Sequence, residues 1–213
     1  MNRFFNFIIA LLGFGRAAWA SDSIAIRNVD DQNRIYQAAC DIIEPYMRLA
    51  DKPPKKVTSE AAVELQRAIQ MLDAVTTHAP ANWSAFWIKG KACQAIGDSK
   101  AACAAFKSAF DLQDKNPDVA REYMYECLKL GDGAEGLRAA QQALAVNPSD
   151  AGLHANLALA LLIAAKPKEA QVAVDEALKM DPQDKISQRL HQMILKVIDG
   201  SRAQPTKLSE LER

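Results

Sequence analysis

The sequence predicts an all-α fold, a solenoid of stacked helical hairpins. Three observations predict it: the chain resembles itself when shifted by 34 residues, small residues recur at fixed places in that period, and the composition favours helices. Of the 213 residues 49% are hydrophobic, enough for a packed core, and Ala, Leu, Lys, Gln and Asp are abundant while Gly numbers only 9.

The shift by 34 brings Ala109, Ala143 and Ala177 into coincidence, and with them Ala102, Gly136 and Ala170. Gly97, Gly131 and Ala165 align, as do Gly90, Met124 and Ala158. Leu112, Val146 and Met180 follow, with Pro148 and Pro182 closing the second and third units. One period earlier, Ala68 falls in line with Ala102, and Pro80 lies two periods before Pro148.

Such a period holds two helices of roughly 12–14 residues and a tight turn, each helix burying one stripe at 3.6-residue spacing. Antiparallel helices approach closely only where the facing residues are small, so Gly90 is expected to face Ala102, and Ala158 to face Ala170. Gly97 and Gly131 are placed to end the first helix of a hairpin in a left-handed conformation. Ala109, Ala143 and Ala177 let the second helix pack onto the next unit, and a Pro near the unit's end stops it.

These residues resemble the tetratricopeptide repeat (TPR) family: small at the eighth and twentieth positions, Gly at the fifteenth, Ala at the twenty-seventh, Pro at the thirty-second. The resemblance covers three units, 83–116, 117–150 and 151–184, and implies a TPR-like solenoid wound as a right-handed superhelix. The first unit departs by carrying Asp114 in place of the Pro, with Pro117 three residues on. The second carries Ala140 where its neighbours have Phe106 and Val174, so the middle unit is expected to be the least well packed.

Upstream, 59–77 reads as a helix capped by Thr58 or Ser59, with Glu60 in its first turn. Its partner is expected over 29–49, bent or ended near Pro45, because Pro53 and Pro54 interrupt the intervening chain. Together 29–82 form a degenerate leading hairpin, preceded by an N-terminal extension, 21–28. Downstream, 185–199 forms an amphipathic helix that caps the last open core, and 200–213 reads as a disordered tail.

The first twenty residues carry Arg3, an apolar stretch over 4–14, and Ala18-Trp19-Ala20, the pattern of a leader cleaved after Ala20. The apolar stretch is about half the ~20 residues a membrane-spanning helix needs. The expectation is therefore a periplasmic or secreted protein with no stable membrane insertion after cleavage; Arg16 beside the cleavage site leaves an inner-membrane anchor as the lesser alternative. The whole chain has 26 basic and 26 acidic side chains; losing Arg3 and Arg16 with the leader leaves 24 against 26, a net of −2. That balance argues against nucleic-acid binding, which needs a strongly basic face.

No motif points to catalysis or to a cofactor. His78, His154 and His191 lack the spacing that puts two metal ligands on one helix face, and phosphate-cradling and nucleophile-elbow patterns are missing. Cys40, Cys93, Cys103 and Cys127 lack the C-x-x-C spacing of zinc or redox sites. In an oxidising compartment a disulfide remains open. The pair singled out is Cys93 and Cys103, which flank the turn at Asp98 symmetrically; the competing reading is two small buried hydrophobes.

The family resemblance places a concave groove on the first helix of each unit, at the second, fifth, ninth, twelfth and thirteenth positions. Those are Ser84, Trp87, Lys91 and Gln94, then Asp118, Arg121, Tyr125, Leu128 and Lys129, then Gly152, Ala155, Leu159, Leu162 and Ile163. The surface is expected to run from basic and aromatic to apolar, suiting an extended peptide with acidic and apolar anchors; burial of Trp87 and Tyr125 in helix packing is the alternative. The sites where chaperone-binding members of the family grip a carboxylate hold Trp87 and Lys91 here, so that role is not supported. The expected function is a non-enzymatic scaffold for a protein or peptide partner, in cell-envelope assembly. A structural or self-associating subunit is the alternative, and an accessory domain of a complex such as that of cytochrome maturation a third reading.

Overall fold

The structure is a computed structural model and describes residues 24–47, 53–113 and 115–211. The expected leader, 1–20, and residues 21–23 of the extension lie outside the described residues. Among the described residues there are nine α-helices and no strand. They are α1 (Val29–Ile43), α2 (Ser59–His78), α3 (Trp83–Ala95), α4 (Ser99–Leu112), α5 (Pro117–Leu130), α6 (Gly133–Val146), α7 (Ala151–Ile163), α8 (Pro167–Met180) and α9 (Lys185–Ile198).

Helix starts repeat with the period because their caps do. Asn82, Asn116, Asp150 and Asp184 precede the odd-numbered helices α3 to α9, and each side chain accepts a backbone N–H from the first turn. Asp98 and Asp132 do the same for α4 and α6. Lys166, the third of that series, makes no side-chain cap, and Pro167 follows at the first helical position, where its missing N–H leaves one donor fewer to satisfy. Upstream, Asn28 caps α1 and Thr58 caps α2. A 3₁₀ turn, Glu44–Tyr46, begins where Pro45 ends α1.

Each odd-numbered repeat helix ends in the same way. Gly97, Gly131 and Ala165 take left-handed φ of +82°, +84° and +59°. The next backbone N–H, of Asp98, Asp132 or Lys166, then reaches back 2.9 Å to the carbonyl of Cys93, Cys127 or Leu161.

Every helix packs on the ones before and after it, and α1–α3, α5–α7 and α7–α9 also touch. Odd-numbered helices therefore share one face of the stack and even-numbered helices the other. Ala102, Ala158 and Ala170 are all 0% exposed, and the closest approach at Gly90 is by a large side chain. A Cβ added at Gly90 would fall 2.5 Å from the ring of Phe106, which is fully buried on α4. In the next hairpin the arrangement is reversed: a Cβ at Gly136 on α6 would meet Leu128 of α5, also at 2.5 Å. A large side chain on α5 thus packs over Gly136, and Leu128 and Ala140 are both buried, at 0% and 1% exposed.

The disordered tail expected at 200–213 does not hold for residues 200–211. After α9 the chain turns at Gly200 (φ +80°), and the Arg202 guanidinium donates to the carbonyls of Glu210 and Leu211 at 2.7 and 3.0 Å. Gln204 donates to the carbonyl of Leu162, Pro205 is buried, and a 3₁₀ turn, Leu208–Glu210, packs against α5. Leu208 and Leu211 join the hydrophobic core, so the segment covers the C-terminal ends of α5 and α7.

Candidate partner-binding face

The odd-numbered helices bring the expected groove residues to one face, and the structure divides them into three sets. Leu128 and Leu162 are 0% exposed, as core residues rather than groove residues, and Ala155 and Ile163 are buried too. Their side chains pack between helices because an odd-numbered helix is covered on both flanks, and the C-terminal segment adds to the cover at Leu162.

Lys91 forms the second set. Its side chain is 3% exposed, its Nζ lies 2.6 Å from Glu122 Oε1 on α5, and it sits 5.3 Å from the centroid of the Trp87 ring. It is committed to the joint between α3 and α5 and presents no free charge to a partner. Gln94 strengthens the same joint, donating from Nε2 to Glu122 Oε2 at 3.1 Å and to Glu126 Oε1 at 2.9 Å.

Glu122 and Glu126, absent from the expected groove set, are the acceptors on which this joint is built. They lie four residues apart on α5, opposite Lys91 and Gln94, three apart on α3; that i, i+4 against i, i+3 match was the available signal. Glu126 is 1% exposed and is also held by Lys129 at 2.9 Å. Among the described residues, Glu126 Oε2 and Trp87 Nε1 are buried without a hydrogen-bond partner.

The third set remains accessible. Ser84, half-buried, receives a 3.3 Å hydrogen bond from the Tyr36 hydroxyl of α1. Trp87, Gln94 and Leu159 are half-buried; Arg121 pairs with Asp118 at 2.8 Å on the surface; Lys129 is exposed. Tyr125 is 36% exposed, and its hydroxyl stands 3.5 Å from Asn156 Oδ1 on α7. The lysines Lys91 and Lys129 are each matched by a carboxylate, so charge at the centre of the face is balanced.

Cys93 and Cys103 are not brought together as expected. Cys93 is buried in the core, where desolvation pushes its thiol up to about 11. The sulfur beside Cys103 is that of Cys127, at 3.8 Å. Symmetry about the turn gives equal height in the hairpin but not the direction of the side chain. Cys103 and Phe110, seven residues apart, lie on the stripe of α4 that faces α5, and Phe110 packs against Tyr123 with ring centroids 5.3 Å apart and the rings tilted by 33°.

Among the described residues no group of three or more His, Cys, Asp or Glu is placed to hold a metal ion, and no helix is long and apolar enough to cross a membrane. His154 Nε2 lies 3.0 Å from the Pro148 carbonyl oxygen and His191 Nε2 3.2 Å from Asp175.

The architecture defines a solenoid of helical hairpins with one face formed by the first helix of each pair. Its likeness to solved structures names the fold. MamA from Desulfovibrio magneticus RS-1 matches with a TM-score of 0.61 at 16% identity, over 80% of this chain and 86% of that one. YrrB, described as a TPR protein with an unusual peptide-binding site, matches with 0.57 at 18%, over 68% and 74%. The first TPR of RPAP3, solved with the HSP90 peptide SRMEEVD, matches with 0.50 at 17%, over 55% and 93%. No family model matches the chain, and no curated protein sequence does. The chain has the tetratricopeptide-repeat fold.

Proposed function

We propose that this protein is a non-enzymatic scaffold that holds a peptide or a partner domain against the face of its odd-numbered helices. The observation that carries the reading is the accessible row Trp87, Tyr125 and Leu159, one residue from each of α3, α5 and α7, bordered by Gln94, Arg121 and Lys129. Aromatic and Arg side chains dominate binding energy at protein interfaces. The peptide named with RPAP3 and the peptide-binding site named for YrrB support this use of the fold. Because Lys91 and Lys129 are already paired, the partner suited to the face brings apolar and hydrogen-bonding anchors rather than carboxylates.

The leader pattern supports export to the periplasm or beyond, and a place in cell-envelope assembly. The reading is tested by selecting peptides from a displayed random library on the folded protein. Selected peptides should lose at least about tenfold in affinity on Tyr125→Ala and on Leu159→Asp. Val172→Asp, on the opposite face and 64% exposed in the parent, should leave them unchanged. Peptides indifferent to Tyr125 and Leu159 would reject the reading.

A further inference from the structure

We propose that Cys103 and Cys127 are a thiol pair that closes to a disulfide across the joint between α4 and α5 when a disulfide-carrying protein or small molecule oxidises it. Four observations support the pair. The sulfurs stand 3.8 Å apart, so side-chain rotation and a small approach bring them to the ~2.05 Å of a disulfide. Cys103 is half-buried and open to an incoming disulfide, whereas Cys127 is 1% exposed directly behind it. The two helices are held around them, since Phe110 and Tyr123, two turns and one turn away on the same stripes, are already in tilted ring contact. The Cys103 thiol is lowered by the hydrogen bond it shares with Cys127, while Cys127 is raised by the same contact and by burial, so Cys103 is the group that attacks first.

The chemistry balances without a metal. The Cys103 thiolate attacks one sulfur of the incoming disulfide, forming a mixed disulfide and releasing one thiolate. Cys127 gives its proton to that departing thiolate and attacks the Cys103 sulfur, and the second thiol leaves. Two protein thiols are oxidised and one external disulfide is reduced to two thiols. The bond ties the first two repeat units at the joint that Lys91, Gln94, Glu122 and Glu126 bridge from the odd-numbered side, and so fixes the relative setting of α3 and α5 on the proposed binding face. The inference stands whether or not that face binds a peptide.

The test incubates the folded, reduced protein with oxidised glutathione, blocks remaining thiols by alkylation after denaturation, and maps tryptic peptides. The expected product links the peptide 101–107 to the peptide 122–129, with Cys40 and Cys93 alkylated. Cys93→Ser should leave that link intact, and Cys103→Ser should abolish it without creating another. The bond closes a ring between residues 24 positions apart, and the melting temperature should rise by roughly 5–10 °C on oxidation. A link from Cys93 to Cys103, four alkylated thiols in folded protein, or an oxidised form melting no higher than the reduced one would each overturn the proposal.

Discussion

Lys91 of α3 and Glu122 of α5 form a 2.6 Å ion pair across the joint between two repeat units, with the lysine 3% and the glutamate 14% exposed. An ammonium is removed from water at a cost that its carboxylate partner and the Trp87 ring offset, while the same carboxylate also accepts from the Gln94 amide. Removing one member leaves the other desolvated and unpaired. Lys91→Ala is expected to cost about 2–3 kcal/mol, somewhat below the range for fully buried pairs because Glu122 keeps some water. Lys91→Met combined with Glu122→Leu should recover most of the loss. Urea unfolding of the single and double variants checks both, and a double variant no better than Lys91→Ala would mean that the pair is not the source of the cost.

Gly90 lies under the Phe106 ring with room for no more than hydrogen, a Cβ there falling 2.5 Å from the ring. Gly90→Ala should therefore destabilise by about 1–3 kcal/mol despite the better helix propensity of Ala. Adding Phe106→Leu should lower that penalty, since a smaller side chain yields the space. Thermal unfolding of the four proteins of this cycle measures the coupling, and additive losses would contradict the contact.

Ala165 holds the left-handed conformation that Gly supplies at Gly97 and Gly131, at φ +59°. Ala165→Gly should stabilise the protein by roughly 0.5–1 kcal/mol, the relief of the Cβ clash exceeding the entropy that Gly adds to the unfolded chain. Gly131→Ala should destabilise by about 1 kcal/mol. Chemical denaturation decides between these opposite signs.

Asp184 caps α9 by accepting from the Ser187 hydroxyl at 2.6 Å, the Ser187 N–H at 2.9 Å and the Ile186 N–H at 3.1 Å. The Ser187 hydroxyl first, and then these N–H groups, hold its carboxyl below the ordinary value of 3.8. The folded state therefore binds this proton less readily than the unfolded one. The cap's stabilisation is fully present above that ordinary value and is lost as pH falls through it toward the lower folded value. Asp184→Ala should cost about 1 kcal/mol at pH 7, with the difference shrinking in unfolding measured near pH 3.

The period made the repeat helices legible because it is written in residues with strong local consequences: Gly97 and Gly131 at the left-handed turns, and Ala109, Ala143 and Ala177 at close approaches. Asn82, Asn116, Asp150 and Asp184 carry the same period as caps and were equally available to reading. What escaped depends on direction and distance across helices. The third-unit groove position Leu162 is covered by the segment around Gln204, some 40 residues later, which no local pattern of polar and charged residues in 200–213 announces. Lys91 is neutralised by Glu122, a residue of the next unit. Cys103 turns toward α5 rather than back into its own hairpin. Each is a contact between units, and a repeat pattern describes the unit far better than the joint.

The claim that the odd-numbered helices form the binding face is tested most directly by placing a photo-crosslinking amino acid at Tyr125 on α5, and separately at Val172 on α8, and irradiating intact cells that make the full chain. The account predicts a discrete crosslinked protein or peptide adduct at Tyr125 and none at Val172. Adducts at Val172 with none at Tyr125 would contradict it and place the partner on the even-numbered helices.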